Sequence, residues 1–348
     1  MKKISILGST GSVGTQTLDV IRKFPDGFKV IGLAAGRNIA LLERQIVEFK
    51  PKEVSLISER DKKSLEKKFP LISFFKTPAE IAKSSSYQLL VSAISGRNGI
   101  DASMEALKLG KTLALAQKEV LVERGEAIRR ICQKTGSKII PIDSEHSAIF
   151  QSIGSEKESK IEKIILTCSG GPFFGRKKNS LKNIKPEEAL AHPKWNMGKK
   201  ISIDSATLMN KALEIIEAVH LFGIKEEKIE VVIHPEAKIH SGVLFEDGNV
   251  IFAAGETDIR IAISYALNFP ERTKNKFPRI DFSQKQSWNF HPPDEETFPS
   301  LQYARKALGG GQEKCKKLNI ANNEAVQLFL GKKIRFLEIF EIIEKSIL

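Results

Sequence analysis

Lys2-Lys-Ile-Ser-Ile-Leu-Gly8-Ser-Thr-Gly11-Ser-Val-Gly14-Thr-Gln-Thr-Leu-Asp-Val-Ile-Arg-Lys-Phe24 is the stretch that decides the fold. Residues 3–7 form a short β-type run, residues 15–24 carry apolar positions at helical spacing, and three glycines lie between them. A strand that passes through a glycine turn into a helix opens a dinucleotide-binding βαβ unit. The glycines permit a tight turn and close backbone approach, and the helix N-terminus offers unpaired N–H groups to a pyrophosphate. The spacing is GxxGxxG and not the commoner GxGxxG, so the strand–turn–helix context carries the reading more than the pattern does.

Outward from this stretch the alternation continues. A second strand over 29–35 and a helix over 39–49 are followed by apolar runs at 53–57, 88–94, 112–116 and 138–142, with helical stretches at 100–109 and 119–135. Strands alternating with helices predict a parallel sheet, so residues 1–143 read as a doubly wound, Rossmann-like α/β domain. The second strand ends in Gly36-Arg37-Asn38, where an NAD site would carry an acid for the ribose 2′-OH; Arg pairs with a 2′-phosphate, which favours NADP(H) over an ordinary surface arginine.

Beyond residue 143 the texture changes. A strand-like run at 161–167, a loop-like stretch over 170–200, a strongly periodic helix over 205–222 and strand-like segments at 228–233, 238–245 and 249–254 predict a central α+β domain over 144–270. The proline- and charge-rich segment 271–298 reads as a linker, and 299–348 as a small C-terminal helical bundle.

Bulk composition is that of a soluble globular protein: 348 residues, 41% hydrophobic and 28% charged. No apolar run approaches the ~20 residues that span a bilayer, and Gly8 interrupts the N-terminal apolar run where a signal peptide would continue, so no membrane association is expected. Three widely spaced cysteines argue for a reducing cytoplasm. The net charge of +13 arises from scattered Lys/Arg pairs without a basic stripe, which argues against nucleic acid and fits a solvated surface that attracts anionic small molecules.

Pro141-Ile-Asp-Ser-Glu-His146 and Asn210-Lys-Ala-Leu-Glu214 carry the candidate chemistry. Asp143 and Glu145, two apart after a strand, point to one side if the backbone stays extended. Paired carboxylates repel unless a cation lies between them, and oxygen-only ligation suits Mg²⁺ or Mn²⁺. Taken locally, Asp-x-Glu is also an ordinary solvated turn. In the helix, Lys211 and Glu214 are i,i+3 neighbours, Asn210 stands four before Glu214, and Leu208, Leu213, Ile215, Ile216 and Val219 form the apolar face. Ser205 stands where it could cap that helix or donate to a phosphate.

The chain resembles the 1-deoxy-D-xylulose 5-phosphate reductoisomerase family, enzymes of isoprenoid precursor synthesis. The resemblance rests on the segments just quoted with Ser169-Gly-Gly-Pro172, His192-Pro-Lys-Trp-Asn-Met-Gly198, Ser202-Ile-Asp-Ser-Ala-Thr-Leu-Met-Asn-Lys-Ala-Leu-Glu214, Ile233-His-Pro235, Ile239-His-Ser241 and Leu318-Asn-Ile-Ala-Asn-Asn-Glu324, in order along nearly the whole chain. It implies that Asp143, Glu145 and Glu214 hold the divalent metal. It implies that Ser169, Ser205, Asn210 and Lys211 bind the sugar phosphate, with Ser144, His192 and Lys118 also on the substrate, and that a mobile flap near 190–200 carries Trp195 over it. Thr10, Gly11, Ser12, Val13, Gly36, Arg37, Asn38, Gln117, Glu119 and Gly198 fall to NADPH, and the assembly to a homodimer. The implied reaction converts 1-deoxy-D-xylulose 5-phosphate to 2-C-methyl-D-erythritol 4-phosphate, through a retro-aldol/aldol sequence or a ketol shift followed by reduction. Gln117 and Thr257 depart from the family's usual Asn and Pro. Two other readings are a plain NADP-dependent dehydrogenase of the semialdehyde or homoserine type, which does not need the three carboxylates, and a non-catalytic NADPH-binding regulator, which needs no metal.

Overall fold

The computed structural model describes residues 1–194 and 198–348. Its internal contacts group the chain into two compact units: Met1–Val120 with Ala127–Ser147 and Asp258–Phe277, and Leu121–Glu126 with Ala148–Thr257 and Pro278–Leu348. Where composition draws borders at 143, 270 and 298, contacts thus place 258–277 with the first unit and the C-terminal helices with the central sheet.

The first unit is built on seven parallel strands: β1 Lys2–Leu7, β2 Phe28–Ala35, β3 Glu53–Leu56, β4 Ser73–Phe75, β5 Leu89–Ser92, β6 Thr112–Leu115 and β7 Ile139–Pro141, in the order β4-β3-β2-β1-β5-β6-β7. Helices α1 Ser12–Arg22, α2 Ile39–Phe49, α3 Glu59–Lys68, α4 Pro78–Ala82, α5 Arg97–Lys108, α6 Lys118–Thr135 and α7 Ser144–Ile153 follow the strands in alternation. Sheets covered on both faces need strands that are apolar throughout. β5 is buried at all four positions, and Ile4, Ile6 and Leu7 of β1 are fully buried, each worth about 1.5–3 kcal/mol. The register aligns the carboxyl ends: Leu7 pairs with Ala34 and Ser92, Ala35 with Leu56, and Leu115 with both Ser92 and Pro141. The loops after β1, β2, β6 and β7 therefore leave from one edge, with the strand order reversing between β1 and β5.

The same unit is completed by α11 Ile259–Asn268, which packs on α1. Lys2 Nζ donates to the Leu267 carbonyl at 2.8 Å and the Phe269 carbonyl at 3.2 Å, tying the first strand to the end of that helix.

The second unit carries a four-stranded sheet of β8 Ile161–Cys168, β9 Ile229–Ile233, β10 Ile239–Phe245 and β11 Val250–Ala254, in the order β11-β10-β8-β9. Its helices are α8 Pro186–Ala189, α9 Lys199–Ala206, α10 Met209–Phe222, α12 Ser300–Gly309, α13 Gln312–Leu330 and α14 Glu338–Ile347. Phe336 anchors the core, edge-on to Phe173 at 5.2 Å and to Phe329 at 5.7 Å.

The helix expected over 205–222 is two helices. The chain breaks at Thr207–Leu208, where Leu208 adopts φ +59°, a left-handed conformation costing about 1–2 kcal/mol for a residue with a Cβ. Burial of the Leu208 side chain offsets this, and the Thr207 carbonyl accepts from Ser300 Oγ at 2.7 Å. Periodicity carries no sign of such a break, which rests on the conformation of one residue and on a hydrogen-bond partner distant in sequence. Among the described residues no helix is long and apolar enough to cross a membrane.

Candidate active site

The candidate residues of the first unit all emerge at the carboxyl edge of its sheet. After β1 the chain turns through Gly8 at φ +88°, and a Cβ there would lie 2.4 Å from the Ala93 carbonyl oxygen. A Cβ on Gly14 would lie 2.1 Å from the Gly8 carbonyl oxygen, so both glycines are fixed by backbone approach. The turn delivers Thr10, Gly11, Ser12 and Val13 to the N-terminus of α1, whose first turn carries neither a side-chain cap nor an acid. After β2, Gly36 has nothing within 4 Å of a built Cβ, Arg37 is exposed, and Asn38 caps α2 by accepting from Leu41 N–H at 3.1 Å. The Asn38 side chain is thereby occupied in holding the turn that presents Arg37.

After β6, Gln117, Lys118 and Glu119 begin α6. Gln117 is buried, and its amide nitrogen donates to the Gly96 carbonyl at 2.9 Å. Lys118 Nζ pairs with Asp143 Oδ2. After β7, the sequence expectation of an extended Asp143–Glu145 segment is overturned: α7 begins at Ser144. Asp143 Oδ1 accepts from the backbone N–H of Glu145 at 3.1 Å and of His146 at 3.2 Å, which is helix capping by a carboxylate. Glu145 stands in the first helical turn and its Oε2 accepts from Ser144 Oγ at 2.5 Å. Local side-chain hydrogen bonding by Asp competes with the extended backbone here, and a strand-period argument has no term for it. His146, quoted in the motif but given no role from sequence, is fully buried with Nδ1 3.1 Å from Asp143 Oδ1. Its i,i+3 spacing from Asp143 is the signal that could have found it.

The second unit gathers the other set. On α10, Glu214 is 0% exposed and Lys211 3%. Glu214 Oε1 accepts from Asn210 Nδ2 at 2.6 Å and Oε2 from Lys211 Nζ at 2.5 Å. What reads in the sequence as a polar face opposite an apolar one is interior on both sides: Leu208, Leu213, Ile215 and Ile216 are buried too, and Val219 partly so. A charged pair persists there because each partner answers the other's desolvation. β8 ends before Ser169, whose Oγ lies 3.1 Å from His192 Nε2 and accepts from Gly171 N–H at 3.3 Å. Burial holds the His192 imidazole below the usual histidine range. Gly171, at φ +68°, packs so close to α9 that a Cβ would lie 2.6 Å from the Ser205 carbonyl oxygen. The Ser169 loop and the helix carrying Ser205 are therefore neighbours. Gly198 precedes α9 as its N-cap. Trp195 lies outside the described residues. Asp204, missed from sequence, is buried beside Ser205, accepting from Asn322 Nδ2 at 2.9 Å and Lys200 Nζ at 2.5 Å.

A parallel sheet whose strand order reverses at β1/β5, with a glycine turn at the crevice and a carboxylate after β7 held by a lysine after β6, defines an α/β dinucleotide-binding protein with an acidic residue at the same sheet edge. Models of the family match in three stretches: 1-deoxy-D-xylulose 5-phosphate reductoisomerase over residues 4–125, its C-terminal domain over 139–222, and the DXP reductoisomerase C-terminal domain over 254–348. The reductoisomerase of Thermoanaerobacter sp. is 47% identical, with 99% of this chain and 92% of the relative aligned. That of Thermodesulfovibrio yellowstonii is 46% identical over 99% and 91%. The Zymomonas mobilis enzyme in complex with NADPH superposes with a TM-score of 0.93 at 36% identity, covering 99% of this chain and 91% of that one. A reductoisomerase bound to NADPH, fosmidomycin and magnesium gives 0.94 at 36%, covering 100% and 89%. The chain belongs to the 1-deoxy-D-xylulose 5-phosphate reductoisomerase family.

Proposed function

We propose that this chain carries out the NADPH- and divalent-metal-dependent rearrangement and reduction of 1-deoxy-D-xylulose 5-phosphate to 2-C-methyl-D-erythritol 4-phosphate through the residues described above. The observation that carries the reading is the pair of lysine-held carboxylates, Asp143 with Lys118 and Glu214 with Lys211, embedded in a family relationship that spans the chain.

Asp143, Glu145 and Glu214 would hold the metal. The set fits Mg²⁺ or Mn²⁺ because all donors are carboxylate oxygens, hard ligands with no thiolate among them. The turn fits a dinucleotide because Gly8 and Gly14 let it fold tightly onto the sheet edge and α1 begins with no side-chain cap or acid in its first turn, while Gly36 leaves open space beside Arg37 for the ribose phosphate. Gln117, Glu119 and Gly198 complete the cofactor contacts. When bound, the cation polarises the substrate's keto and hydroxyl oxygens and NADPH supplies the hydride.

The chain's own residues position and neutralise. Ser169, Ser205, Asn210 and Lys211 would take the substrate phosphate, with Lys211 supplying charge and the hydroxyls and amide supplying direction. Buried Asn210 Oδ1 has no hydrogen-bond partner among the described residues and offers an acceptor to a ligand hydroxyl. His192, held neutral near pH 7 by burial, can both accept and donate toward substrate while Ser169 fixes its ring. Lys118 brings a cation next to Asp143, where negative charge on a substrate oxygen would be met, and Ser144 lies at the same helix start. Trp195 would cover the bound sugar and exclude water.

The assembly is read as a homodimer, supported by the exposed edge strand β11, where Val250, Ile251 and Phe252 face solvent. A cytoplasmic location is supported by three free cysteines. The test is NADPH oxidation with 1-deoxy-D-xylulose 5-phosphate in Mg²⁺ or Mn²⁺ and again in EDTA. Metal-dependent oxidation is expected; folded, NADPH-binding protein that never oxidises the cofactor would refute the substrate assignment.

A further inference from the structure

Gln45 lies with Leu42 and Ile46 in the buried face of α2 and is 2% exposed. Its amide nitrogen donates to the Ser9 carbonyl at 2.9 Å, across 36 residues of sequence. Its amide oxygen is buried with no hydrogen-bond partner among the described residues. Burying an amide with one polar atom unanswered costs stability, and a methionine would fill the space without that cost. The hydrogen bond is better explained by what it does to the phosphate turn.

The start of that turn is held from β2 as well. Gly8 N–H and Ser9 N–H both donate to the Ala34 carbonyl at 2.9 Å, and Gly11 N–H closes onto the Gly8 carbonyl at 2.9 Å. In a trans peptide the C=O and the following N–H lie on opposite edges. With the Ser9 carbonyl drawn inward to Gln45, the Thr10 N–H is turned the other way, and it donates to no backbone carbonyl in the turn. Without Gln45 this peptide can flip. A carbonyl dipole would then face the position of an anion, where an N–H donor makes the stronger, charge-assisted bond.

We propose that Gln45 is a positioning residue for dinucleotide binding, holding the Ser9 carbonyl inward so that the Thr10 N–H faces the cofactor pyrophosphate. The role rests on the cofactor reading given above for Thr10 to Val13. Because α2 also presents Arg37 through its Asn38 cap, one helix would set both the pyrophosphate turn and the 2′-phosphate contact.

Binding of NADPH and of NADH to the full-length protein tests it, comparing wild type, Gln45→Met and Arg37→Ala. Gln45→Met should raise the Kd of both cofactors by the same factor, about tenfold for one lost charge-assisted bond, leaving their ratio unchanged. The loss should fall on the KM for NADPH and not on kcat. Arg37→Ala should change the ratio instead. A folded Gln45→Met protein that binds NADPH like wild type, or whose loss is confined to kcat, would overturn the role of Gln45 alone. Wild-type protein that binds neither cofactor would overturn the cofactor reading and this role with it. Should Gln45→Met not fold, amide exchange in the wild type decides: the Thr10 N–H should exchange readily alone and become protected by NADPH, and protection before cofactor addition would overturn the proposed orientation.

Discussion

Replacing Gly171 with alanine tests the closest approach in the second unit. Two costs add. The residue sits at φ +68°, where a Cβ costs about 1–2 kcal/mol. The new Cβ would also stand 2.6 Å from the Ser205 carbonyl oxygen and 3.1 Å from its carbon, both backbone atoms that cannot rotate aside. Restoring van der Waals contact requires the loop and α9 to part by about half an ångström, an overpacking cost of about 1–3 kcal/mol. The total, about 2–5 kcal/mol, should lower Tm by roughly 5–15 °C for a unit of this size. Gly175→Ala separates the two contributions, since Gly175 has φ +80° but open space at its Cβ position, and should show only the first cost. The displacement of Ser205 should raise the KM for the phosphorylated substrate about tenfold and disturb NADPH binding far less, because of the proposed cofactor contacts only Gly198, the N-cap of α9, lies in this unit. Scanning calorimetry of the three proteins and steady-state kinetics at saturating NADPH decide the matter. A Gly171→Ala protein that melts with Gly175→Ala and keeps the wild-type substrate KM would refute the steric reasoning.

Asp143→Asn or Glu145→Gln should abolish metal-dependent turnover while leaving the NADPH Kd within about threefold, the additivity expected of separate sites; equal loss of both, measured by calorimetric titration, would count against the division. Arg37→Ala should weaken NADPH by about 10–100-fold, the range of one or two hydrogen bonds to a charged group, and NADH far less; an unchanged preference would remove Arg37 from the 2′-phosphate. For His192 the folded value lies below the unfolded one of about 6.5, so the unfolded chain binds the proton first as pH falls. Its stability contribution is therefore complete above about pH 6.5 and declines below it. The wild-type Tm should accordingly fall more between pH 7.5 and 5.5 than that of His192→Gln, and equal falls would show that burial does not hold the ring neutral.

Six of the seven parallel strands were legible because they carry buried apolar runs, whereas β4 Ser73–Phe75, short and exposed to half-buried, gives no such run. The glycine turn was legible for the same reason that it exists: Gly8 and Gly14 have no room for a Cβ. What failed in sequence reading were places where one polar side chain redirects the backbone. Asp143 caps α7 and turns Glu145 into a helix, so period-two alternation did not apply. Leu208 splits one apparent helix into two through its own left-handed conformation. The buried state of Lys211 and Glu214 was hidden because a polar pair at i,i+3 looks the same on a wet face as in a dry interior. Gln45 and Asp204 carry no local signal, because their partners, Ser9 and Asn322, are distant in sequence.

The return of residues 258–277 to the first unit has a consequence for synthesis. The strands β1 to β7 are complete when residue 141 is made, yet α11, which covers α1 and is stapled to Lys2, follows only after the 110 residues between Ser147 and Asp258. At about 5–20 residues per second, the ribosome leaves the dinucleotide sheet without one of its covering helices for roughly 5–20 s. During that interval α1 has no native partner from α11, and the nascent chain is open to chaperones or to another copy on the same message. The order in which the gene is read thus starts the first unit first, yet leaves it open until more than half of the second unit has been made.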